Sequence, residues 1–346
     1  MRKQRIAVVM GGPSAEHEIS LKTGFQVVAN LDRNKYDVSA VVASREMMFY
    51  IARNTLGISQ SDIENFQSSP FFKGEFKPCS SMLIWDNVDI AFLALHGEFG
   101  EDGTIQGYLR TLGIRYTGCG VLSSAIGMHK ILAKKVFEAS GIPTPNYSVY
   151  RQGGSEFDIK KIVAKHKFPV FVKAPQSGSS KLMGRADTEL QLRNLLNELS
   201  EECKSVLVET AITGGDEFSC PVIEKGGVPT ALLPIYIKPK NKDGYFDYNA
   251  KYLGESDEIC PPPPPFNKKE TIELIQRTAV AVHTALECDS YSRTDIILKD
   301  NTAFVLEINT LPGMTAASLL PMAYAAEGGN FSELLDLIIA NTAVKL

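Results

Sequence analysis

The sequence predicts an α/β protein: a parallel-sheet lobe at the amino terminus, followed by further lobes of mixed strands and helices. Three observations lead there. The chain has 346 residues, more than a single hydrophobic core comfortably organises. Its first third alternates continuous apolar runs with helical periodicity, as buried parallel strands joined by helices do. Around Tyr116-Thr117-Gly118 the register of elements changes.

Ile6 to Met10 is an unbroken apolar run ending in Gly11-Gly12-Pro13, which reads as a buried strand entering a turn. A helical pattern through Ile19, Leu21, Phe25, Val27 and Val28 follows Ser14. Val38 to Val42 and Val88 to Leu95 are further strands, the latter ending at His96-Gly97. Ligands bind at the carboxyl ends of such strands, which singles out Gly11 to Glu18 and His96 to Gly103. The stretch from Arg45 to Asn87 is weakly periodic, holds Pro70 and Pro78, and is assigned no chemistry.

Ala125 to Ser140 reads as one helix, closed by Gly141 with Pro143 just beyond. Next come a strand at Tyr147 to Tyr150, a helix near Ile159 to Lys165 and a strand at Pro169 to Lys173. The Gly/Ser loop Gln176 to Ser180 and the strand Val206 to Glu209 follow. Strands at Phe218 to Ile223, Ala231 to Lys238, Thr294 to Leu298 and Ala303 to Ile308 fill the last third. A helix over Thr271 to Leu286 lies among them, and two helices close the chain. The run Pro261 to Pro265 is stiff and extended and reads as a shaped connector.

Composition narrows the class. Hydrophobic residues make up 44% and charged residues 22%, with a net charge of −4, so no basic field draws the chain to nucleic acid or an anionic membrane. The six cysteines stand apart without a CxxC pair or zinc-site spacing, which suits free thiols in a reducing cytosol. The basic start with its short apolar run ends in Gly-Gly-Pro rather than a cleavage site, and no stretch nears the ~20 apolar residues that span a bilayer. A cytoplasmic protein is expected.

The strongest chemical signal is near the end. Glu307 and Asn309 are two apart on a strand and share a face; Arg293 and Asp295 do the same on the strand before. Asp295, Glu307 and Asn309 offer hard oxygen ligands suited to Mg²⁺, or else are polar residues at strand ends. Arg293 presents a fork for carboxylate or phosphate oxygens, or pairs with Asp295 or Glu307. The turn Thr310 to Thr315 holds Gly313, whose backbone N–H is available as half of an oxyanion hole. Lys173 ends an apolar strand before Gly178-Ser179-Ser180, an anion-binding nest or a plain linker. Lys130 lies in a helix, and each of the two lysines is otherwise a solvated side chain. Glu16 sits in a first helical turn, where it either complements the helix dipole or serves a site. His96 stands at the carboxyl end of a strand, a structural histidine or a site residue.

Together these segments resemble the D-alanine–D-alanine ligases of the ATP-grasp superfamily. The matching stretches are Gly11-Gly12-Pro13-Ser14-Ala15-Glu16-His17-Glu18-Ile19-Ser20, Ala94-Leu95-His96-Gly97 with Gly100-Glu101-Asp102-Gly103-Thr104, Asp247 to Tyr252, Arg293-Thr294-Asp295, and Glu307 to Thr315. They occur in family order over nearly the whole chain.

The resemblance implies an α+β ATP-grasp fold: a substrate-binding lobe over 1–118, a central ATP-grasp lobe over 119–208 and a catalytic lobe over 209–346, the latter two sandwiching the nucleotide. It implies formation of D-alanyl-D-alanine for peptidoglycan through a D-alanyl phosphate. ATP is the co-substrate, with two Mg²⁺ for which Mn²⁺ substitutes, and a homodimer is the implied assembly. Position by position, Glu16 would hold the first D-alanine's ammonium beside His96. Lys130, Lys173, Ser180 and Lys251 would face the ATP phosphates. Glu209 and Ile212 would lie at the adenine edge and Glu217 at the ribose. Asp295, Glu307 and Asn309 would hold metal; Arg293 and Gly313 would stabilise the oxyanion. Ser318 and Leu319 would grip the second D-alanine's carboxylate. Ser179 and Tyr252, bonded with Glu16, would lock a loop over the site.

The chain departs from the family pattern at Lys181-Leu182, where Val-Gly is usual, at Thr210, where lysine is frequent, and at His129, where an acidic residue is frequent. The first departure removes a glycine from the phosphate loop. Three alternatives stay open: a D-lactate or D-serine second substrate, against which Tyr252 speaks; a nucleotide-binding relative without ligase activity; and a Rossmann oxidoreductase, against which the missing GxGxxG speaks.

Overall fold

The structure is a computed structural model, and it describes residues 2–78, 82–176, 182–240 and 256–342. The first sheet holds β1 (Gln4–Gly11), β2 (Tyr36–Ala43), β3 (Phe49–Ala52), β4 (Lys73–Phe76), β5 (Ile90–Leu93) and β6 (Arg115–Tyr116), in the order β4-β3-β2-β1-β5-β6. β1 pairs in parallel with β2 and β5, and Ile6 to Met10 are fully buried, as a strand covered on both faces requires. The helices His17–Asn30 and Thr104–Thr111 belong to this lobe. Chain order reverses between β1 and β5, which opens a crevice beyond their carboxyl ends. Gly11 can turn there because its φ is +89°; a Cβ would strike the Ala43 carbonyl oxygen.

The stretch Arg45 to Asn87, weakly periodic in the sequence, is an elaboration of the first lobe that adds β3 and β4 antiparallel to the sheet edge. Both strands are 4 residues long, too short to show a period. Aromatic contacts pair Phe49 of β3 with Trp85 and Tyr50 with Phe66.

The second sheet is antiparallel: β7 (Tyr147–Arg151), β8 (Val170–Lys173), β9 (Met183–Ala186) and β10 (Ser205–Thr210), in the order β7-β10-β8-β9. The helices Glu156–Lys165 and Glu189–Glu202 pack on one face through Ile159, Ile162, Leu192 and Leu196, against Val170, Val172, Val206 and Val208. By strand alternation, Lys173 and Glu209 lie on the other face.

The third sheet holds β11 (Asp216–Lys225), β12 (Val228–Ala231), β13 (Ile235–Pro239), β14 (Ser256–Ile259), β15 (Tyr291–Lys299) and β16 (Thr302–Asn309). Its order is β14-β13-β11-β15-β16, with β12 beside β11. Phe218, Val222, Ile296 and Val305 bury against the helix Lys269–Ala285 and against Ala133 and Phe137.

The single helix expected over Ala125 to Ser140 is two, Val121–Met128 and Lys130–Ala139. The backbone extends at His129, where ψ is 91°. His129 Nδ1 accepts from Leu132 N–H and caps the second helix, while Lys130 N–H donates across to Pro175 O at 2.8 Å. The closing helices, Leu319–Ala326 and Phe331–Ala340, share the first lobe's apolar cluster. Tyr36 Oη donates to Asp336 Oδ1 at 2.8 Å, and Lys35 Nζ lies 2.6 Å from Oδ2. Among the described residues, no helix is long and apolar enough to cross a membrane, and the five cysteines are free thiols.

Candidate active site

β15 and β16 form the floor. Arg293 stands opposite Asn309, and Asp295 opposite Glu307, so all four side chains project from one face. A β-bulge after Asp295 matches Ile296 to Val305 and leaves Leu306 as the extra residue. The bulge shifts the alternation: Val305 is buried, yet both Leu306 and Glu307 line the cavity above.

The carboxylates are already balanced by cations of the chain. Arg293 donates from Nε to Asp295 Oδ1 and from Nη2 to Oδ2, each at 3.1 Å. Ser219 of β11 donates to Asp295 Oδ1 at 2.6 Å. Lys130 Nζ lies 3.2 Å from Glu307 Oε2. Asn309 Oδ1 accepts from Leu311 N–H at 2.8 Å, which pins the turn leading to Gly313. Among the described residues no group of three or more His, Cys, Asp or Glu gathers as a metal site. The donor set that remains, two opposed carboxylates and an amide, is all hard oxygen and suits Mg²⁺ completed by water and phosphate.

The second sheet supplies the roof. Lys173 Nζ lies 2.8 Å from Glu209 Oε2 and 5.4 Å from the centre of the Phe171 ring. Burial works against the Lys173 ammonium, but Glu209 foremost, with Glu307 and Glu217, holds its pKa above the ordinary value. Between floor and roof is a cavity of about 310 Å³. Of the residues read from the sequence, Lys130, Lys173, Glu209, Ile212, Glu217, Asp295 and Glu307 all line it. Phe171, Met183, Tyr236, Ile297 and Leu306 give it apolar walls of a kind that takes a flat aromatic ring.

The other predicted residues gather at the crevice of the first lobe. Ser14 Oγ donates to His96 O at 2.7 Å and accepts from Glu16 N–H at 3.1 Å. The Glu16 carboxylate presses on Gly97, where a Cβ would stand 2.9 Å from Oε2. His96 is 6% exposed, with Nε2 2.9 Å from Thr23 Oγ1 and Nδ1 3.6 Å from Glu101 Oε1. A Cβ on Gly313 would lie 3.5 Å from His96 Cε1 and 2.9 Å from Ser318 Oγ, so the turn after β16 reaches the first lobe. Ser318 Oγ accepts from Thr315 N–H at 2.9 Å. Leu319 begins a helix, where the N–H groups have no intrahelical acceptor. A second, more open space of about 690 Å³ runs from Glu16 and Gly97 to Ala174 and Leu182. Leu182 lines both spaces and forms part of the wall between them.

Ser179, Ser180, Lys251 and Tyr252 lie outside the described residues, as does Lys181. Thr210 also lines the cavity, with its Oγ1 2.7 Å from His166 Nδ1. Ser219 and Thr23 are further members to which sequence reading assigned no role, and Glu101, part of the stretch His96 to Gly103, joins them beside His96. Ser219 is two residues from Glu217 on a strand, a spacing that signals a shared face.

Similarity to known proteins follows the same plan. Residues 5–119 match the family described as D-ala D-ala ligase N-terminus, and residues 136–340 match D-ala D-ala ligase C-terminus. The D-alanine–D-alanine ligase of Clostridium beijerinckii is 38% identical over 98% of both chains. Among solved structures, the D-alanine–D-alanine ligase of Bacillus anthracis complexed with ATP is 32% identical, covers 98% of this chain and 97% of its own, and has a TM-score of 0.74. The VanG D-Ala:D-Ser ligase of Enterococcus faecalis is 29% identical, with coverage of 99% and 100% and a TM-score of 0.84.

Proposed function

The chain belongs to the D-alanine–D-alanine ligase family, and from that premise we propose that it uses ATP to join two D-alanines into D-alanyl-D-alanine for peptidoglycan precursors. The observation that carries the reading is the opposed pair Asp295 and Glu307, with Arg293 and Lys130 on them, at the floor of a cavity sized for a nucleotide.

In the first step a carboxylate oxygen of the first D-alanine attacks the γ-phosphorus of ATP. The new O–P bond forms as the bond to the β,γ-bridging oxygen breaks, giving D-alanyl phosphate and ADP. In the second step the amine of the other D-alanine attacks the acyl carbon, loses a proton and expels phosphate. Transfer between anions needs alignment and charge neutralisation more than covalent help. Lys130, Lys173 and Lys251 neutralise the phosphates, with Ser180 beside them. Ile212 and Glu209 border the adenine, and Glu217 the ribose. Asp295, Glu307 and Asn309 would hold Mg²⁺, two ions in the family pattern, which when bound offsets phosphate charge. Arg293 and the Gly313 N–H face the oxyanion of the tetrahedral intermediate.

Glu16 holds the first D-alanine's ammonium next to His96. Ser318 and the Leu319 N–H take the second one's carboxylate. Ser179 and Tyr252 close over the site, because the acyl phosphate would otherwise hydrolyse. The lobes divide at 118 and 208, and the enzyme works in the cytoplasm as a homodimer. The test is to incubate the protein with radiolabelled D-alanine, ATP and Mg²⁺, and with D-serine or D-lactate as competitor at several pH values. D-alanyl-D-alanine with stoichiometric ADP is expected. Release of no dipeptide would overturn the reading, and depsipeptide forming faster near neutral pH would overturn the choice of second substrate.

A further inference from the structure

Behind the nucleotide cavity lies a buried lysine that the reaction above leaves without a task. Lys134 follows Lys130 by one helical turn, yet it is 1% exposed and takes no part in the cavity lining. Its Nζ lies 2.5 Å from Glu209 Oε1 and donates to Thr144 Oγ1 at 2.6 Å. The Thr144 hydroxyl donates in turn to Val305 O at 2.8 Å, two residues before Glu307 on β16. Glu209, 2% exposed, thus has one oxygen on Lys134 and the other on Lys173.

The charge pattern explains why two lysines serve one carboxylate. A lone Lys173–Glu209 pair has no net charge, so Glu209 would cancel most of what Lys173 offers to a phosphate. Were Lys173 to turn toward the nucleotide, Glu209 would be left as an unpaired buried carboxylate, which is strongly unfavourable. Burial foremost holds the Lys134 pKa below its ordinary value, against the pull of the Glu209 carboxylate at its Nζ; with both lysines protonated the three groups carry one net positive charge. Of the two lysines it is Lys173, 13% exposed on its side chain, that lines the cavity and delivers that charge.

We propose that Lys134 is a positioning residue for nucleotide binding: it holds the Glu209 carboxylate from behind and so frees Lys173 to engage the phosphates of ATP. The inference rests on the proposed ligase reading in taking this cavity as the ATP site.

The test titrates ATP with Mg²⁺, in the absence of D-alanine, into the full chain and into Lys134→Met, Glu209→Gln and the double variant, with KM for both substrates measured alongside. Lys134→Met is expected to weaken ATP about tenfold or more, with the D-alanine KM within about twofold. In the Glu209→Gln background the same change is expected to cost less than about threefold, since no carboxylate is left to compensate. Equal losses in both backgrounds, an unchanged ATP affinity, or a D-alanine KM that rises in step would each overturn the proposal. Should Lys134→Met not fold in a thermal melt, Thr144→Val decides, because it keeps both charges and removes the hydroxyl anchor. About threefold weaker ATP is then expected, and an unchanged affinity overturns the role. A wild-type chain that binds ATP but forms no dipeptide would instead overturn the ligase reading, leaving the Lys134 comparison intact.

Discussion

Asp295 and Glu307 face one another across β15 and β16, and each is neutralised by a cation from a different element. Arg293, two residues away on the same strand, takes Asp295; Lys130, from the helix Lys130–Ala139, takes Glu307. Each of these two carboxylates is therefore held by a cation before any nucleotide arrives, and phosphate oxygens compete with them for the same two cations.

Arg293→Ala should lower turnover by about 10²–10³, the scale of removing a donor to a developing oxyanion. Steady-state dipeptide formation checks this. A kcat near that of the parent chain would show that the guanidinium serves Asp295 alone.

Glu307→Gln should raise the Mg²⁺ concentration for half-maximal velocity about tenfold or more, since a neutral amide is a far weaker ligand for a hard cation. An unchanged Mg²⁺ dependence would place the metal elsewhere.

Gly97→Ala should weaken the first D-alanine more than ATP. The residue has φ +68°, and its Cβ would stand 2.9 Å from the Glu16 carboxylate. A stability loss of about 1 kcal/mol is expected from the backbone alone. The sign of the binding effect is read from separate KM values; equal rises would mean a general disturbance.

Arg5 donates to Asp89 from Nε and Nη2, and its backbone N–H donates to the same carboxylate. The Arg5 side chain foremost holds Asp89 down at about 2, below its ordinary 3.8. A depressed carboxylate stabilises the fold above its unfolded pKa, and that contribution disappears as pH falls through the folded value. Asp89→Asn should therefore cost about 1–2 kcal/mol at neutral pH after solvent screening. The difference in urea midpoint should be constant above about pH 5 and narrow as pH falls from about 4 toward 2. A gap independent of pH would refute the linkage.

Much of the floor of the site was legible in the chain. Arg293 with Asp295 and Glu307 with Asn309 are spaced by two on apolar runs, and strand periodicity puts each pair on one face without knowledge of the partner strand. The run Ile6 to Met10 likewise declared a buried strand, and Gly11-Gly12-Pro13 the turn it enters. The short strands Phe49–Ala52 and Lys73–Phe76 were not legible, because 4 residues carry too little period. The break at His129 was equally hidden, since the acceptor that draws Lys130 N–H aside is Pro175 O, far along the chain.

The sequence by itself determined which faces are apolar, where strands meet turns and which oxygen and nitrogen groups stand at those ends, because these follow from local periodicity and backbone sterics. Tertiary structure alone decided the charge pairing between elements distant in the chain. Lys134 and Glu209 are 75 positions apart, and their contact exists only because the helix Lys130–Ala139, packed against β16, comes within reach of the end of β10. The bulge at Leu306, which turns Glu307 into the cavity instead of letting it follow Val305 into the core, is a property of the paired strands and of neither strand alone.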